Sequence, residues 1–157
     1  MTTLEVLEVE FAAIKEDLVK RHNELGMKAS GLWESELSVD IYENGGKTTA
    51  MLTGLTYTEQ LVYGRKPGKF PPIKMIEQWI LDKGISIEGK LTTSSLAFLI
   101  ARKIAKEGTK YFQNGGTDLI ESVVTPERIQ SIINQVKEIN VVTMTKGLIE
   151  QLKQVAA

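Results

Sequence analysis

The chain has 157 residues, 42% of them hydrophobic and 25% charged, with 19 Lys and Arg against 20 Asp and Glu for a formal net charge of −1. A chain of this length buries a sizeable core without staples, and the composition is that of one ordinary globular domain. Near-balanced charge excludes a protein whose whole surface grips nucleic acid or anionic lipid, while leaving room for a local basic patch.

Residues 4–25 read as a long amphipathic helix. Leu4, Leu7, Phe11, Ile14, Leu18 and Leu25 recur at steps of three and four, Arg21 interrupts the seam, and Gly26 ends it. Such a seam can dock on the chain's own sheet or on another subunit. The period then changes to two: Leu37, Val39 and Ile41 alternate with polar residues, and Glu43-Asn44-Gly45-Gly46 supplies a tight turn into a second strand at 47–53. Residues 55–63 read as a third strand, with a helix as the alternative.

The run 64–72, Gly-Arg-Lys-Pro-Gly-Lys-Phe-Pro-Pro, is a fixed loop. A helix follows with Ile73, Ile76, Trp79 and Ile80 on its apolar face and Gly84 as its stop. A third helix, capped within Thr92–Ser95, carries Leu96, Leu99, Ile100, Ala101 and Ile104 and halts at Gly108. Trp79 is expected to be buried against it, with Phe70 and Phe98 also in the core. Beyond a short apolar stretch at 119–124, Thr125-Pro126-Glu127 starts a helix with Ile129, Ile132, Ile133 and Val136 as its buried stripe. Residues 140–145 have strand composition, and 148–155 reads as a short terminal helix. The order predicts an α+β fold: a long N-terminal amphipathic helix, an antiparallel hairpin-based sheet, and helices packed on one side. Residues 1–113 form the expected core, and 114–157 a C-terminal helical extension packed on the same domain.

Chemistry-bearing motifs are sparse. Zero cysteines exclude a thiolate nucleophile or metal site, and the single histidine excludes a zinc site built on two histidines. His22 reads as a surface residue near a helix end. Neither Gly45-Gly46 nor Gly115-Gly116 has the context of a phosphate-binding loop. No enzyme, cofactor or metal is expected. The acidic start and the lack of any run of ~20 apolar residues predict a soluble protein made in a cytoplasm, without a membrane partner. The most informative segment is basic: Arg65, Lys66, Lys69 and Lys74, with no acid between Gly64 and Ile76. These four are the candidate contacts for phosphates or an acidic partner; the plainer interpretation is a solvated turn.

The run Tyr63–Pro72, followed by Ile76, Trp79-Ile80 and Lys83-Gly84-Ile85, resembles the central block of tail-completion and minor structural proteins of tailed bacteriophages. The run 97–110 is similar to that family's second block, and the resemblance spans roughly residues 1–112. It implies a non-catalytic virion protein of the neck: a head–tail connector or tail-completion subunit forming a homo-oligomeric ring around the DNA channel. Its implied partners are portal, connector or tail proteins and, non-specifically, packaged DNA. Its implied location is the virion, with the host cytoplasm during assembly. The acidic first helix and the basic loop are candidate complementary faces of such a ring. The alternatives are a nucleic-acid-binding regulator using the loop with Arg102, Lys103, Lys106 and Lys110, or a host-encoded protein-interaction module. An enzyme with a carboxylate pair ranks below the neck reading.

Overall fold

A computed structural model gives the fold of residues 1–156. Ala157, the last residue of the expected extension, lies outside the described residues. The fold is α+β, with α1 at Thr3–Glu24, α2 at Leu32–Glu36, β1 at Ser38–Asn44 and β2 at Lys47–Thr53. There follow α3 at Thr58–Tyr63, α4 at Ile73–Lys83, α5 at Thr93–Glu107, α6 at Lys110–Gln113 and α7 at Pro126–Ala156.

Helix α1 opens on a reciprocal cap. The Thr2 amide donates to Glu5 Oε2 at 2.7 Å, while Thr2 Oγ1 accepts from the Glu5 amide at 3.2 Å. It closes on Gly26, whose φ of 67° lets the Met27 amide turn back to the His22 carbonyl. Strands β1 and β2 pair antiparallel, Val39 opposite Leu52 and Ile41 opposite Ala50. Gly45 and Gly46, both at positive φ, make the two-residue turn that matches strand twist. The hairpin packs on α1.

The buried apolar residues form two clusters. One joins Ile14 and Leu18 of α1 to Met27, Trp33, Leu37, Leu119, Val123 and Ile132. The other holds Ile76 and Ile80 of α4 against Ala97 and Ala101 of α5. The small alanines let the two helices approach closely. Residues 117–128 are clamped onto the first cluster by polar bonds. Arg21 Nη2 reaches both oxygens of Asp118 at 2.7 Å, and Arg128 Nη1 reaches Asp17 Oδ2 at 2.7 Å. Arg21 therefore sits in the apolar seam because it faces Asp118.

Several expectations are corrected. Residues 58–63 are helix rather than strand: Thr58 bonds back to the Leu55 carbonyl through both its amide and its hydroxyl, which starts a turn. Residues 140–145 are not a strand but the middle of α7. The hydroxyls of Thr143 and Thr145 donate to the carbonyls four residues before them, at 2.9 and 2.8 Å, so β-branched side chains are accommodated in a helix. Of the expected α7 stripe, Ile132 is buried, Val136 is half-buried, and Ile129 and Ile133 are exposed. Trp79 keeps 41% of its surface exposed, and Phe70 and Phe98 also face outward. The buried tryptophan is Trp33, 2% exposed, its indole N–H donating to Thr58 Oγ1 at 2.8 Å.

Candidate functional site: a basic face

The loop 64–72 lies along the carboxyl end of α5 and across α6, tied by its backbone. The Arg65 amide donates to Thr109 Oγ1 at 2.9 Å, the Thr109 amide returns to the Arg65 carbonyl at 3.0 Å, and the Gly68 amide donates to the Ala105 carbonyl at 2.8 Å. That last bond satisfies a carbonyl in the final turn of α5, where helical partners run out. Glycines permit the contact. A side chain at Gly64 would collide with the Phe112 amide nitrogen, and one at Gly108 would meet the Arg65 carbonyl at 2.8 Å. Pro71 is buried, and Phe70 packs against Phe98 with ring centroids 5.8 Å apart.

This docking brings two basic segments together. Lys66, Lys69 and Lys74 are exposed and Arg65 is half-buried; Arg102, Lys103, Lys106 and Lys110 are exposed on the adjoining α5 and α6. Segments 64–74 and 102–110 hold eight cations and one acid, Glu107, leaving 11 cations and 19 acids for the remainder. Among the described residues, none of the eight cations makes an ion pair within 4.0 Å. The loop that carries Arg65, Lys66 and Lys69 is thereby joined to the end of α5 and to α6, which carry four further exposed cations, while Lys74 stands in the first turn of α4. The pairing of loop and helix end was legible only as two separate basic runs, because the backbone bonds that join them span some 40 residues.

A second polar feature lies inside the fold. His22, expected at the surface, is 2% exposed. Its ring stacks on Trp33 at 4.3 Å with planes 12° apart, and Nδ1 lies 3.1 Å from Glu34 Oε1. The approach lacks hydrogen-bond alignment, and neither atom finds another partner. Burial lowers the His22 pKa below its usual value against the upward pull of Glu34, and Lys83 and Lys28 lower it further. Among the described residues, no three acidic or histidine side chains converge as a metal site requires, and no helix is long and apolar enough to cross a membrane.

No protein-family model, curated protein or solved structure matches the chain.

Proposed function

We propose that the protein is a structural subunit of a tailed-phage neck, a head–tail connector or tail-completion protein that assembles as a ring around the DNA channel. The observation that carries this reading is the basic face: exposed cations without ion-pair partners, on a backbone fixed before any partner arrives. Such a face recognises phosphates by charge, without reading sequence, as a channel lining would. Helix α1 carries six acids and three cations, too little negative charge to match eight cations, so duplex DNA is the better counterpart. Preorganisation of the loop lowers the entropy lost on contact. The motif resemblance across 63–110 points to the same family.

The test is Lys66→Glu with Lys69→Glu, both at exposed positions. Thermal stability should stay within about 0.5 kcal/mol of wild type. Affinity for duplex DNA should fall and its logarithmic salt slope should shrink by about 2, with fewer tailed particles completed. Unchanged DNA binding and normal particles would reduce the loop to a solvated turn.

A further inference from the structure

Helices α1 and α7 run antiparallel. Arg128 pairs with Asp17, Gln135 Nε2 donates to Glu10 Oε1 at 2.9 Å, and Thr3 Oγ1 donates to Asn140 Oδ1 at 3.4 Å. Thr3 is the first residue of α1, so α7 outruns its partner beyond Asn140. Residues 141–156 are all exposed, a free helix of roughly 24 Å at 1.5 Å per residue.

The overhang is strongly amphipathic. At about 100° per residue, Ile132, Val136 and Ile139 lie on the side turned to the molecule's core. Val141, Met144, Leu148, Leu152 and Val155 lie on the opposite side. The apolar face changes sides between Ile139 and Val141, so the second half does not continue the packing of the first. Isolated helices of this length are marginal in water, and this one contains Gly147. With Val142 and Ile149 it leaves seven apolar side chains uncovered. At roughly 100 Å² each these approach the ~800 Å² per partner of a stable interface.

A groove of mixed lining, three apolar residues and two serines, is also left uncovered. It lies between α4 and α5, has a volume of about 450 Å³, and is lined by Ile73, Ser94, Ser95, Phe98 and Leu99, with Phe70 against Phe98. The α4–α5 pair is attached at the carboxyl end of α1. Lys83 Nζ donates to the Gly26 carbonyl. The α3 side is held there too, since the Thr117 amide donates to the Val62 carbonyl beside the Arg21–Asp118 pair. The overhang leaves beside the amino-terminal end of α1, some 33 Å along that helix from Gly26, and its residues 141–156 are all exposed. It does not fold back onto its own groove.

We infer that residues 141–156 of one copy seat their apolar face in the α4–α5 groove of the next copy, giving a head-to-tail contact. Two different surfaces of one chain make a heterologous interface, which closes into a ring or propagates as a filament. Helix in groove is the recognition mode. The inference rests on the neck reading for closure into a ring, not for the contact itself.

The chain has no cysteine, so cross-links report directly. Full-length Leu152→Cys and Leu99→Cys chains are mixed and oxidised, and wild type is sedimented at high micromolar concentration. The expected result is an oligomer, with disulfide formed in the mixture and not by either variant alone. Leu152→Glu and Leu99→Glu, both at exposed positions, should each reduce the mass to one chain with an unchanged melting temperature. A wild-type chain that sediments as a monomer, or a disulfide formed by Leu152→Cys alone, overturns the contact. Particles that incorporate a chain ending at Asn140 normally would overturn it while leaving the neck reading in place. A head-to-tail oligomer absent from every particle would keep the contact and remove the neck reading.

Discussion

The His22 imidazole lies flat on the Trp33 indole with the Glu34 carboxylate at its edge, and that setting fixes its response to acid. Burial favours the neutral ring; Glu34 opposes this, and Lys83 and Lys28 reinforce it. The unfolded chain therefore takes up the proton first as pH falls through about 6.5, and stability held above that pH drains away below it. Melting temperature should fall between pH 7 and 5 more steeply for wild type than for His22→Phe, which keeps the stack and has no proton to gain. Parallel profiles would show that His22 carries no pH-linked stability. The two tryptophans differ by the same logic of burial. Trp33→Ala should cost about 3–5 kcal/mol by leaving a cavity and removing the indole bond to Thr58 Oγ1, whose hydroxyl keeps its own bond to the Leu55 carbonyl. Trp79→Ala should cost less than about 2 kcal/mol, because a large part of that ring already faces water. Equal losses in denaturant unfolding would contradict the placement of the core.

At the scale of elements, glycine tests the docking of the basic loop. Gly64 and Gly68 both have positive φ, 77° and 132°. Only Gly64 faces a neighbour's backbone, while the space beside Gly68 is open. Gly64→Ala should therefore cost at least ~3 kcal/mol and Gly68→Ala about 1 kcal/mol, measured by denaturant melts. Comparable values would mean that the loop is not pressed against α6. Much of the architecture was legible in sequence: the 3.6 period of α1, the alternation and Asn-Gly turn of the hairpin, and the Thr-Pro start of α7 are local signals. What was hidden depends on distant partners. Trp33 rather than Trp79 is buried because it joins the cluster built from Ile14 and Leu18 of α1 with Leu37, Leu119 and Val123. The Val- and Thr-rich run 140–145 has strand composition, yet among the described residues no strand pairs with it and the helix begun at Pro126 continues through it. Of the candidate site, the four cations of 65–74 were visible, but the loop's union with the end of α5 was not. It follows from backbone bonds between segments far apart in the chain.

The whole molecule leaves two features unsatisfied. Charge is segregated, with eight cations and one acid in the two segments of the basic face and an acidic excess elsewhere. Apolar surface is left open too, on the unpartnered second half of α7 and in the groove between α4 and α5. Neither feature serves the stability of a lone chain: unpaired like charges repel, and exposed apolar helices gain nothing in water. Both are satisfied together in a ring whose subunits join helix in groove and whose basic faces meet DNA. The most direct test of the proposed role is a cryo-electron-microscopy reconstruction of the neck of tailed particles assembled in the presence of this chain. The account predicts a closed ring of this chain with Arg65, Lys66 and Lys69 turned toward the DNA in the channel. A ring whose channel is lined by the acidic face of α1 while the loop faces solvent, or a neck without this chain, would contradict it.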